Sequence, residues 1–170
     1  MSLSTNSPEE PFFRRYTQLV TETDLVAAMK HQSQIDFAEL AGVSDSTAGV
    51  LHAPYTWTIR QVLSHLIDAE RVFGYRAFRF SRGDQTVLSS FDESLYVNAV
   101  DVTLRTVKDL VGELTIVRSG NIAMFEHLTP VMWQRQGQAS GLTWTVTDLA
   151  QAIPGHVRHH QIIIRRRLQL

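Results

Sequence analysis

The stretch from Thr58 to Phe80 constrains the fold more than any other part of the chain. Ile59, Val62, Leu63, Leu66, Ala69, Phe73, Ala77 and Phe80 recur at the spacing that gathers side chains on one face of an α-helix. Thr58 and Gln61 fit a capping box at its start, and Gly83 supplies a C-cap beyond its end. So broad an apolar stripe is built to face a core made of other helices.

Three further segments carry the same period. The first runs from Pro11 or Phe12 to Leu40 through Phe13, Tyr16, Leu19, Val20, Leu25, Met29, Ile35 and Phe37, with Thr21, Thr23 and Asp24 marking a possible break. The next covers Thr103 to Leu128 and stops at Thr129-Pro130. The last starts at Thr145, where Thr145 and Asp148 have capping-box spacing, and continues toward the C-terminus. Pro154 interrupts it and predicts a kink or two abutting helices, because proline removes the hydrogen bond to the Ala150 carbonyl. Ser90 and Glu93 suggest a short extra helix over Phe91–Ala99, and 41–56 and 84–90 have loop composition. Met132 to Gln138 is the best strand candidate, and it is weak. Two helices are launched by similar words, TWTI at Thr56–Ile59 and TWTV at Thr143–Val146, which fits either a duplication or two independent helix starts. The expectation is an all-α, four-helix bundle. It forms one domain over 11–170, preceded by a flexible 1–10.

Composition narrows the function. The formal net charge is −1 and the pI about 6.6, so no global pull toward nucleic acid or an anionic membrane is expected. No apolar run approaches the ~20 residues that span a bilayer. The Ser/Thr-rich, acidic start lacks the basic and apolar regions of a signal peptide, so a cytoplasmic location is expected. There is no cysteine, which excludes a disulfide framework, a thiolate metal site and a cysteine nucleophile. Any thiol chemistry would need its thiol to arrive with a substrate.

Three of the seven histidines stand out. His65 lies within the apolar stripe and points into the bundle; taken alone, it reads as a satisfied core residue. His156 and His160 are four apart on a helix, close enough for two rings to converge on one cation. His159 is also a helical neighbour of His156, so spacing leaves the choice of pair open. Two histidines on one core-facing helix and a third on another make an economical three-nitrogen site, suited to Zn, Ni or Fe(II). Three protein ligands leave positions open for water or substrate. The alternative is three solvated or hydrogen-bonded histidines. Arg165, Arg166 and Arg167 read as a solvated last turn favoured by the helix dipole.

WTIRQVLSHLIDAERVFGYRAFRFSRGD from Trp57, FDESLYV from Phe91 and GHVRHHQIIIRRRL from Gly155 together resemble the DinB/YfiT-like family of small bacterial proteins. The resemblance covers Tyr55 to the end, with the first helix following more loosely. It implies an up-down-down-up four-helix bundle, often a homodimer. It also implies a divalent-metal site with His65, His156 and His160 as ligands and His159 in the non-ligand middle position. Pro154 departs from the pattern two places before a ligand.

For the reaction, the resemblance implies a metal-dependent transferase acting with a low-molecular-weight thiol such as bacillithiol. A metal-dependent hydrolase using an activated water is the alternative, and a non-catalytic, metal-stabilised dimeric bundle is the alternative from another class. The substrate is expected to be a small molecule, and nucleic-acid binding gains nothing from the charge balance. Asp68 could orient a ligand, although a surface carboxylate beside Arg71 is the commoner case. Asp92 and Glu93 could lie over the bundle mouth or only start a helix. Arg76 and Arg79 could hold an anionic substrate group, with ion pairing the simpler expectation. No catalytic residue is assigned.

Overall fold

The computed structural model describes residues 14–169. The flexible stretch expected over 1–10, and the start of the first helix at Pro11–Phe13, lie outside them. In chain order the elements are α1 (Arg14–Thr17), α2 (Leu25–Ala41), α3 (Asp45–Ala48), α4 (Ile59–Ser81), α5 (Glu93–Ala99), α6 (Val107–Phe125), α7 (Pro130–Trp133), β1 (Gln136–Ala139), β2 (Leu142–Thr145) and α8 (Val146–Leu168).

Each of the four long helices begins on a side chain that satisfies an otherwise orphaned backbone N–H. Asp24 accepts from the Ala27 amide at the start of α2. Thr58 with Gln61, Thr106 with Asp109 and Thr145 with Asp148 form full capping boxes on α4, α6 and α8. Gly83, with φ of 79°, turns the chain away after α4.

Side-chain pairs give the direction of each helix. Gln32 and Glu39 of α2 reach Pro154 and Gln161 of α8, so these two helices run the same way. Arg71 and Gly74 of α4 meet Glu113 and Asn121 of α6, again in parallel. His65 and Phe73 of α4 face His156 and Trp144, so α4 opposes the direction of α8. The bundle is therefore up-down-down-up, in line with the resemblance. The connection after α4 makes this possible by running back along that helix. Ser89 is held by Arg76 near the end of α4, and Thr103 by Arg60 at its start.

The core has two apolar parts. Phe37, Leu40, Leu63, Leu66, Leu110 and Leu114 fill one; Met29, Phe73, Phe80, Phe125, Trp144 and Leu149 fill the other. A polar layer separates them. Arg118 donates from Nε and Nη2 to the two carboxylate oxygens of Glu70 at 2.7 and 2.9 Å, and from Nη1 to Gln32 at 2.8 Å. Asn121 adds a further hydrogen bond to Glu70 at 2.9 Å. Both charged side chains are sealed from solvent, which is tolerable only because the guanidinium and carboxylate are paired and hydrogen-bonded.

The break that Thr21, Thr23 and Asp24 allowed in the first helix is present at 18–24, and Asp24 caps α2. Several sequence-based expectations are corrected. The third long helix starts at Val107, not Thr103, because Thr103 is drawn into a turn by the Asp101 carboxylate. It ends at Phe125, short of Leu128. Pro154 does not divide α8, which continues from Val146 to Leu168. Its neighbours are buried on both sides, and Gln32 donates to the Pro154 carbonyl at 3.1 Å. Packing here outweighs the one missing hydrogen bond.

Of the weak strand candidate at Met132–Gln138 only the last three residues are strand, within β1, which pairs with β2 in a hairpin closed on Ser140 and Gly141 with φ of 55° and 75°. Two consecutive positive φ values suit the twist of a two-residue hairpin turn. Gly137 lies against Phe80, where a Cβ would stand 2.3 Å from the ring. The two similar TWT words both end on a capping threonine, yet Trp57 precedes α4 in a loop whereas Trp144 is a fully buried β2 residue. No helix among the described residues is long and apolar enough to cross a membrane.

Candidate metal centre

Antiparallel packing of α4 on α8 brings His65 against the gap between His156 and His160. The Nε2 atoms of His65 and His156 stand 3.1 Å apart, as do those of His160 and His156. One ligand-capable nitrogen from each ring lies within 4.8 Å of the others. His65 and His156 are 6% and 4% exposed, and His160 is half-buried. Burial lowers the pKa of His65 to about 4. Burial, and then the neighbouring imidazoles, hold His156 and His160 well below the usual histidine range. All three rings are therefore neutral near pH 7.

Hydrogen bonding alone does not satisfy this arrangement. A neutral imidazole Nε2 carries either one proton or one lone pair. His156 Nε2 faces two other Nε2 atoms and can bond properly to only one of them. A cation taking a lone pair from each nitrogen removes the conflict. Nitrogens about 2.1 Å from a shared ion stand roughly 3.0–3.4 Å apart, for tetrahedral to octahedral angles, which the observed separations approach. The three residues fit a divalent cation, and the all-imidazole donor set suits Zn, Ni or Fe(II).

The far ring nitrogens, Nδ1 of His65 and His160, are buried without a hydrogen-bond partner. Ring orientation is instead held by aromatic neighbours. Trp57 lies 5.2 Å from His65, centroid to centroid, and Tyr16 and Phe73 lie 4.9 and 5.9 Å from His156. The histidines open into a cavity of about 600 Å³, walled by Tyr16, Trp57, Phe73, Arg76, Phe91 and Glu93 among others.

A family model of the DinB superfamily matches residues 28–164, a span that contains all three histidines. The chain belongs to the DinB superfamily. Among solved structures it is similar to YfiT from Bacillus subtilis, described as a probable metal-dependent hydrolase with an unusual four-helix bundle topology. The two share 18% identity with a TM-score of 0.69, over 99% of this chain and 93% of that one. The likeness is one of fold. No curated protein matches this chain.

Around this DinB-superfamily site the other expected residues separate. His159 lines the cavity, edge-on to Tyr16 and His160 at 5.4 and 5.2 Å, and is not part of the triad. Asp68 turns away from the cavity toward Arg71 and Glu113, and burial raises its pKa. Asp92 caps α5 by accepting from the Leu95 amide at 2.9 Å, in the place expected for Ser90. Glu93, next to it, is on the cavity wall. Arg79 forms the expected ion pair, with Asp84, and also donates to the Tyr75 hydroxyl. Arg76 forms none and is buried on the cavity wall.

The closing arginines are only partly a solvated turn. Arg165 pairs with Glu39, while Arg167 is half-buried, stacks over Tyr55 and donates to the Trp57 carbonyl. Sequence reasoning placed Tyr16, Trp57 and Phe73 on helices or at helix starts without assigning them to the site. Gly155, a glycine inside a helix one residue before a histidine, is a cue to a close backbone approach, but only the fold shows that Tyr16 makes it.

Proposed function

We propose that this DinB-superfamily protein is a metal-dependent hydrolase of a small molecule. The observation that carries the proposal is the convergence of three neutral Nε2 atoms at the floor of a cavity. Among the described residues no carboxylate joins that group. A cation bound there supplies Lewis acidity and makes a nucleophile of water near neutral pH.

The chain's own residues supply the rest. His65, His156 and His160 present three nitrogens and leave the cavity side open to water and substrate. Trp57, Phe73 and Tyr16 pack against the rings and keep bulk water from behind them. Glu93 places a carboxylate on the same cavity wall.

Thiol transfer, the first expectation from the sequence, would use the same three ligands. The likeness to a protein described as a probable hydrolase favours water over a thiol as the nucleophile. Metal-loaded protein should therefore turn over activated esters or amides without added thiol and lose that turnover on chelation. Turnover that requires bacillithiol or glutathione would assign the protein as a transferase. A large fall in Tm on chelation without turnover under any condition would leave the metal a structural role.

A further inference from the structure

The cavity wall also holds a buried cation that no described carboxylate pairs with. Arg76 stands eleven positions after His65 on α4. At about 100° per residue that is three turns and some 20°, so the two share a face, with Arg76 about 16 Å further along the axis. Ala69 and Phe73 lie between them on the same cavity wall. Arg76 is 3% exposed.

Its bonding within the protein is neutral and incomplete. Nη2 donates to the Ser89 carbonyl at 2.9 Å and to the Ser140 hydroxyl at 2.8 Å. Nε and Nη1 donate to no protein atom, yet neither is sealed from solvent. Arg118, the other buried arginine among the described residues, has both its edges occupied by Glu70 and Gln32. Arg76 has no carboxylate partner. Burial lowers its pKa from the ordinary value, but a guanidinium remains charged at neutral pH. A buried, unpaired cation is costly to keep, and the cavity that holds the histidines gives a compensating anion access to it.

We propose that Arg76 binds the carboxylate of the small molecule that the cavity takes. The ligand is an elongated carboxylic acid, with an apolar middle against Ala69, Phe73 and Phe91. The placement of its other end at the histidines rests on the hydrolase proposal above; the carboxylate contact does not. A single guanidinium flanked by neutral acceptors suits a singly charged carboxylate better than a phosphate dianion.

The test measures binding by calorimetry for phenylalkanoic acids of increasing chain length, their primary amides, and inorganic phosphate. Chelated protein is used beside metal-loaded protein, so that a carboxylate bound to the metal is not mistaken for one bound to Arg76. On chelated wild type, at least one acid should bind about tenfold or more tightly than its amide, as a charge-assisted hydrogen bond allows. Arg76→Gln should abolish that preference and Arg76→Lys should keep part of it. Equal affinity of acids and amides, or no binding of either at millimolar concentration, would overturn the proposal. So would a preference that survives in a folded Arg76→Gln protein, or phosphate binding more tightly than every acid. If Arg76→Gln does not fold, Arg76→Lys takes its place, and an acid–amide preference undiminished in it would overturn the proposal. Failure of the hydrolase proposal would appear in metal content and turnover, neither of which enters the chelated measurement.

Discussion

Gly155 of α8 lies directly beneath the backbone of Tyr16, so that a Cβ at Gly155 would stand 2.1 Å from the Tyr16 carbonyl oxygen. That contact is backbone against backbone and cannot relax by a rotamer change. It places the Tyr16 ring 4.9 Å from His156 and makes the segment before α2 one wall of the cavity. Gly155→Ala should keep the four long helices but lift α1 from α8. We expect a loss of about 1–3 kcal/mol in urea unfolding, the usual range for overpacking. Faster amide exchange over 14–24 should accompany it. Unchanged stability and exchange would show that α1 is not held by this contact.

The ion pair between Arg118 and Glu70 is the second place where one substitution should matter. Removing one partner leaves the other charged and sealed in the core. Arg118→Met should therefore cost about 3–5 kcal/mol in chemical denaturation. The double replacement Arg118→Met with Glu70→Leu should cost less than the single change, because no unpaired charge remains. A double mutant less stable than Arg118→Met would contradict this account of the polar layer.

Acidity should weaken the metal-free protein over a defined window. The unfolded chain's histidines take up protons below about pH 6.5, whereas burial holds His65 neutral down to about 4. Because the unfolded state binds more protons in that interval, stability is full above pH 6.5 and falls as pH drops toward 4. His156 and His160, also lowered, act in the same direction. In the same measurement His65→Ala should show a shallower slope between pH 6.5 and 4. An equal or steeper slope would assign the acid sensitivity to other groups.

Local features of this fold were legible in the sequence, and features made by distant segments meeting were not. The capping boxes at Thr58 and Thr145 involve residues three apart, and both appear as read. The inward aspect of His65 follows from helical period alone. Its meeting with His156 depends on the direction of α8, which the residue pattern leaves open and the family resemblance supplied. Pro154 does not split α8 in two, because the buried contacts around it outweigh the local rule. Ion pairing was the simpler expectation for Arg76, but it is held by Ser89 and Ser140, which come from the connection after α4 and from the hairpin and which helical period does not place. The hairpin was missed because its strands are four residues each, too short to show a period. Ser140-Gly141 was the cue to its turn.

The central claim is that His65, His156 and His160 together hold one divalent cation. The most direct measurement is the metal content of protein purified without a histidine tag, reconstituted with Zn, Ni or Fe(II) and freed of excess ion. Wild type should retain about one ion per chain, as a single three-nitrogen site requires. His65→Ala and His160→Ala should each lose it while remaining folded, and His159→Ala should keep it. No retained metal in wild type, or metal retained undiminished in the folded His65→Ala protein, would contradict the account.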